Sequence, residues 1–172
     1  MTFLVTTPTN LGDEMIERSG LGDDMNFVPT NKGPLQSKAH ENIFVIGDAS
    51  NIPASKAGSV AHFEGEILEE DILRFIAGKP LKEEFDGHSN CFVETGNGKA
   101  ILIDFNYTQE PVEGTFPIPG VAPLKLLKET RMNHMGKLAF RWIYWNMLLK
   151  GTHIPFVTTT MSTEGKIIEK KD

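Results

Sequence analysis

The chain has 172 residues, 40% of them hydrophobic and 23% charged, with a net charge of −6. That balance suits one globular domain or two small ones and excludes a disordered, collagenous or disulfide-stapled chain. The acidic total argues against general nucleic-acid binding, and the single cysteine, Cys91, excludes an internal disulfide and points to a reducing, cytoplasmic compartment.

The opening, Met1-Thr2-Phe3-Leu4-Val5, lacks the basic flank and apolar stretch of a signal peptide. Phe3 to Thr7 is predicted as a strand that Pro8-Thr9-Asn10 ends. Asp13 to Ser19 is predicted as a short helix with acids in its first turn, stopped by Gly20. Phe27-Val28-Pro29 and Leu35-Gln36-Ser37 read as short strands around a turn containing Asn31-Lys32-Gly33-Pro34.

Ile43 to Ile46 is a continuous apolar run rich in β-branched residues, predicted as a buried strand of a parallel sheet. Such strands carry ligands at their carboxyl ends, and this one ends in Gly47-Asp48. The glycine permits close backbone approach, and the aspartate is an acceptor suited to a sugar-alcohol or ribose hydroxyl. Beyond Pro53 come Ser55-Lys56-Ala57-Gly58-Ser59, small residues and one lysine where a helix begins. Its unpaired N–H groups and positive dipole end would face the same pocket. A buried strand ending in Gly-Asp before a helix is common in α/β proteins, so these residues alone leave a general α/β unit open.

One long helix is predicted from Ala57 to Ala77. Val60, Phe63, Ile67, Leu68, Ile72, Phe75 and Ile76 form its apolar stripe, and Glu64, Glu66, Glu69, Glu70 and Asp71 occupy much of the rest. His62 reads as an ordinary helix histidine. Gly78 stops the helix, and the polar stretch Lys79 to Asp86 divides the chain into portions 1–78 and 79–172. Asn97-Gly98, between Cys91–Thr95 and Lys99–Phe105, marks an antiparallel hairpin. Gly98-Lys99 lacks the spacing of a phosphate loop. Pro111 to Pro123 is a proline- and glycine-rich loop, and Ile154 to Val157 a last short strand before a frayed polar tail from Thr158 to Asp172.

Between Val121 and Lys150 six Lys/Arg face one acid, Glu129, a local charge of about +5 on an acidic chain. A helix is predicted from Arg131 to Lys150, crowded with Phe140, Trp142, Ile143, Tyr144, Trp145, Met147, Leu148 and Leu149. Arg141 in its middle costs roughly 2.5–3.5 kcal/mol at a bilayer centre, and the apolar run is far short of the ~18 residues a span needs. Spacing alone leaves two readings open: an interfacial helix, with aromatic residues at the headgroup layer, or a helix packed on its own domain or on a second subunit.

The motif around Gly47-Asp48, continued by Asn51-Ile52-Pro53-Ala54-Ser55-Lys56-Ala57-Gly58-Ser59-Val60-Ala61-His62-Phe63, resembles the second flavin-contacting motif of the FAD-dependent pyridine nucleotide-disulfide oxidoreductases. It is most similar to the branch of sulfide:quinone oxidoreductase and type II NADH dehydrogenase. Asn106-Tyr107 and the stretch from Val121 to Gly151 extend the likeness, the latter resembling that enzyme's membrane-facing part. The resemblance implies that Asp48 holds the flavin ribityl chain and that Lys56, with the amides near Ala57 and Gly58, lies by the electron-rich edge of the isoalloxazine.

Several expectations follow from that likeness. The fold class is α/β, or α+β for this piece: a remnant of an FAD-binding parallel sheet with its long helix, then a hairpin and a C-terminal amphipathic helix. G-x-G-x-x-G is absent, and the opening matches a point past the middle of a chain more than twice as long. This sequence is therefore expected to be a C-terminal part whose flavin site is incomplete and which by itself is inactive. The parent would be a peripheral-membrane flavoenzyme passing electrons from sulfide or another donor, NADH included, through FAD to a quinone, docking through Phe140, Arg141, Trp142, Tyr144 and Trp145. The paired cysteines that accept sulfide have no counterpart in Asn31 to Ser37, and Cys91 reads as a structural thiol, so no catalytic residue and no metal ligand is assigned. The alternative is a non-catalytic module whose aromatic helix forms a homodimer interface or binds a membrane.

Overall fold

The computed structural model describes residues 3–118, 120, 122–153 and 157–168. Helix α1, Glu14–Arg18, starts where Asp13 accepts a hydrogen bond from the Met15 amide at 2.8 Å, and Gly20 leaves it with φ of 70°. Helix α2, Gly58–Ile76, ends in a Schellman arrangement. The Gly78 amide bonds the Phe75 carbonyl and the Lys79 amide the Arg74 carbonyl, with Gly78 left-handed at φ 65°.

Strands β1, Ser89–Gly96, and β2, Lys99–Phe105, form the anticipated hairpin. Asn97 and Gly98 take φ of 50° and 66°, the left-handed pair that a two-residue turn requires. Strand β3, Gly114–Phe116, lies within the stretch read as a loop, and strand β4, Leu124–Leu126, lies where no element was predicted. They complete a mixed sheet of order β1-β2-β4-β3, in which β2 and β4 are parallel. Helix α3, Arg131–Asn146, is capped by Thr130, whose hydroxyl accepts from the Asn133 amide at 3.0 Å, and a 3-10 turn at Leu148–Lys150 follows it.

Helices and a four-stranded mixed sheet give the α/β or α+β class expected. The sheet is not where the parallel remnant was placed. Ile43 to Ile46 forms no ladder: Phe44 makes one antiparallel bridge to Gln36, and Gly47–Ala49 is a 3-10 turn. Val28 pairs with Ser50 and Thr30 with Ser37, each at a single position, because Pro29 and Pro34 withhold backbone donors and the chain turns between them. Phe3 to Thr7 is not a strand either; it lies exposed and pairs with no strand among the described residues.

Three apolar clusters hold these pieces. Leu35, Ile52, Val60, Phe63, Ile67 and Phe85 pack beneath α2, with Tyr107 against them. Ile16, Val28 and Val45 pack under the N-terminal turns, and Leu102, Leu124 and Leu126 line the sheet.

The tail is folded rather than frayed up to residue 168. The Thr158 carbonyl accepts a hydrogen bond from His88 Nδ1 at 2.8 Å. The Met161 amide bonds Asp86 at 3.0 Å, and the Lys166 amine enters the core beside Asp104. A polar sequence gave no hint that its polar groups meet buried partners. Of the strand predicted at Ile154 to Val157, residues 154–156 lie outside the described residues.

Candidate functional site

Gly47 sits in the left-handed region at φ 63°, with the Ala61 methyl 3.6 Å from where a Cβ would stand. A side chain there would be strained by the backbone whatever the space. Its amide donates to Glu64 Oε2 at 2.5 Å. The turn that follows presents Asp48 to solvent, while Ser50 is fully buried. Behind it Asn51 fixes the neighbouring segment, accepting from the Thr30 amide at 3.0 Å and donating to Asp23 at 3.2 Å.

Lys56 folds back over this turn. Its amine donates to the Ser50 carbonyl and lies 4.9 Å from the centre of the Phe27 ring. Burial pulls its pKa below the ordinary lysine value, against the attraction of Glu64, Asp48 and Asp23. Ala57 caps α2 without a side-chain hydrogen bond, and a Cβ on Gly58 would meet nothing within 4 Å. The first turn of a 19-residue helix is therefore open at the end nearest Asp48 and Lys56. Of the expected site residues, Gly47, Asp48, Lys56, Ala57 and Gly58 meet at this end of α2.

Glu64 is the residue that sequence reasoning missed. Assigned to the polar side of α2, it is only 1% exposed. Burial, helped by repulsion from Asp48, raises its pKa to about 6, against the Gly47 amide and Lys56. A signal was present: Val60, Glu64, Ile67 and Asp71 follow the 4-3-4 spacing of one helix face, and all four are buried. Tyr107 reaches the same region from the end of the hairpin. Burial, then the charges of Glu64 and Asp86, push its pKa up, and its hydroxyl is buried without a partner among the described residues.

The second predicted group lies on α3. Phe140 is partly buried, while Arg141, Trp142, Tyr144 and Trp145 are exposed, the tryptophans by 62% and 60%. Met135, Leu138, Trp142, Trp145 and Leu149 form an exposed apolar stripe. Lys137 and Arg141 lie beside it, and Tyr144 meets Trp145 edge to face at 5.4 Å. Among the described residues no helix is long and apolar enough to cross a membrane. Cys91 is partly buried on β1, and burial raises its thiol pKa, which keeps it protonated at neutral pH.

Over most of its length the sequence is similar to curated sulfide:quinone oxidoreductases. The mitochondrial sulfide:quinone oxidoreductase of Mus musculus is 30% identical over 149 residues, 87% of this chain and 32% of the relative. That of Schizosaccharomyces pombe is 31% identical over 152 residues, 86% of this chain and 32% of the relative. This chain is related to the sulfide:quinone oxidoreductases. It spans about a third of the length of these relatives. A protein of Flammulina velutipes named FAD-dependent oxidoreductase FVFD30 is 29% identical over 65 residues, 38% of this chain and 20% of that one. A chain in the Tetrahymena thermophila mitochondrial ATP synthase tetramer shares the fold, with a TM-score of 0.56 and 24% identity over 81% of this chain and 31% of its own. No family model matches.

A glycine-enabled turn, an exposed carboxylate after it and an uncapped helix start with open space at Gly58 fit the edge of a flavin ribityl chain. Lys56 is spoken for by the Ser50 carbonyl in this structure.

Proposed function

We propose that this chain forms one wall of the flavin site of an FAD-dependent oxidoreductase and docks it on a membrane, where the enzyme passes electrons from sulfide or another donor to a quinone. The observation that carries the reading is the convergence of the Gly47-Asp48 turn and the open start of α2. FAD, when bound, supplies the redox chemistry. Asp48 would accept a hydrogen bond from a ribityl hydroxyl, and the first amides of α2 would offer donors to the electron-rich ring edge. Lys56, released from the Ser50 carbonyl, would bring its positive charge to that edge and favour electron gain there.

The α3 stripe supports the membrane half of the reading. From Arg131 to Lys150 there are four basic residues and no acid, which suits an anionic lipid surface, each lysine or arginine adding about 1 kcal/mol near it. Exposed Trp142, Tyr144 and Trp145 suit the headgroup layer, beside which a quinone would enter.

A second reading is favoured by the stripe's alternating 3-4 spacing, which also suits a helix–helix seam in a homodimer that does no chemistry. Two measurements separate them. FAD at millimolar concentration should perturb the amide resonances of Gly47, Asp48 and Gly58, and Asp48→Ala should remove that response. Vesicles containing phosphatidylglycerol should sediment the chain, and Trp142→Ala with Trp145→Ala should abolish it. A chain indifferent to both ligands, and dimeric in sizing chromatography until those tryptophans are replaced, would establish the second reading instead.

A further inference from the structure

The Gly47–Asp48 turn has few conventional supports. Ile43 to Ile46 forms no ladder, and the turn itself is a single 3-10 unit with no side-chain cap. A left-handed glycine is cheap to form and equally cheap to leave, since glycine visits many other conformations. Something must hold it. Among the described residues the side chain bonded to the Gly47 amide is that of Glu64, reaching back from the second turn of α2 at 2.5 Å.

Glu64 is an unusual choice for that task. It is 1% exposed and stands among Val60, Phe63 and Ile67, where a leucine would fill space at no desolvation cost. Its carboxylate is used on one side by the Gly47 amide and is close enough to Lys56, Asp48 and Tyr107 to act on them or feel them by charge. A buried acid kept at this position is explained if a charge-assisted bond to the turn is what it supplies.

We propose that Glu64 is the positioning residue of the flavin-binding turn: its buried carboxylate grips the Gly47 amide and thereby fixes the direction in which Asp48 is offered to the ribityl chain. This inference deepens the flavin reading and rests on it for the identity of the ligand. Glu64 touches no ligand itself. It acts through the backbone of Gly47, at the one residue between the apolar run and Asp48. The groups that face it are Gly47 and Asp48 from the turn, Lys56 from the loop before α2, and Tyr107 from the end of β2.

Amide-resolved NMR on the 172-residue chain tests the tie without relying on turnover. In the wild-type chain the Gly47 amide proton should resonate far downfield and move with pH at a midpoint of about 6. Glu64→Gln, which keeps an acceptor oxygen, should preserve Gly47 exchange protection within about threefold while abolishing that titration. Glu64→Ala should speed Gly47 exchange by about tenfold, the loss of roughly one net hydrogen bond. It should also weaken the FAD-induced shift of Asp48 by a similar factor, whereas Glu64→Gln should retain it. A Gly47 amide that does not titrate and stays protected in Glu64→Ala overturns the proposal. If Gly47 behaves as expected but FAD perturbs nothing in the wild-type chain, the flavin reading fails while the Glu64–Gly47 tie stands.

Discussion

The Lys166 amine lies 2.6 Å from Asp104 Oδ2, and both side chains are buried, at 1% and 0% exposure. The other oxygen of Asp104 is 2.7 Å from His88 Nε2, whose ring stacks flat on Phe63 of α2 at 4.8 Å. One carboxylate thus joins the C-terminal stretch, the hairpin and the long helix. Removing one partner of a buried pair leaves the other charge uncompensated, at about 3–5 kcal/mol. Lys166→Met should lower unfolding stability by about that amount in urea titration. A loss below about 1 kcal/mol, the level of a surface pair, would mean that Lys166 is solvated in solution.

This linkage also shows what a sequence discloses and what it withholds. Asn97-Gly98 and Gly78 were legible because their conformations follow from the residues alone. Ile43 to Ile46 looked like a strand because apolar, β-branched composition describes burial, and Val45 is indeed buried. Whether a ladder forms depends on neighbours, and here Pro29 and Pro34 break the adjacent segments. Asp104 was read as one polar residue of a hairpin strand, yet it lies on the same inward face as Ala100 and Leu102. Its partner Lys166 is 62 positions away, a distance no local pattern spans. Gly47 and Asp48 were visible by their type and order. Glu64 was not, because an acid in an acid-rich helix is assigned to solvent by default.

Glu64 should impose a specific pH dependence on stability. Its folded-state pKa of about 6 lies above its ordinary value of 4.5, so the folded chain holds the proton more tightly than the unfolded chain. The stabilisation from protonation is full below about 4.5, and it is lost as pH rises through 6. At 1.36 kcal/mol per unit, the ionised form costs about 2 kcal/mol at neutral pH. Glu64→Gln should therefore be more stable than wild type at pH 7.5, by about 1–2 kcal/mol. That advantage should vanish near pH 4.5. Equal denaturation midpoints at pH 7.5, or a difference that grows on acidification, would contradict the assignment.

His153 provides a second titration, with the same sign. It stands after the α3 region and meets Glu66 of α2 at 2.9 Å, and Glu66 also faces His62 at 3.0 Å. The hydrogen bond and charge of Glu66, with a smaller contribution from Glu69, raise the His153 pKa. A raised histidine pKa means that the tie is fully present below the unfolded value of about 6.5 and is lost as pH climbs through the folded value. Proton NMR of the His153 ring should show a midpoint above 6.5 in the wild-type chain and a lower one in Glu66→Gln. An unchanged midpoint in that variant would show that Glu66 is not the partner.

Gly87 should be intolerant of any side chain. It takes φ of 82°, and a Cβ there would stand 2.3 Å from Cδ1 and 2.5 Å from Cε1 of Tyr107. Those ring atoms belong to a side chain wedged edge-on against Phe85 at 5.8 Å and packed on the cluster beneath α2. The ring cannot retreat without opening that cluster, and the left-handed backbone adds its own cost of about 1 kcal/mol or more. Gly87→Ala should therefore lose about 2–4 kcal/mol, combining backbone strain with overpacking. Tyr107→Ala added to it should recover only the overpacking share, because the backbone strain at Gly87 is independent of the ring. A double variant no more stable than Tyr107→Ala alone minus the full single-site loss would show that the ring was never the obstacle.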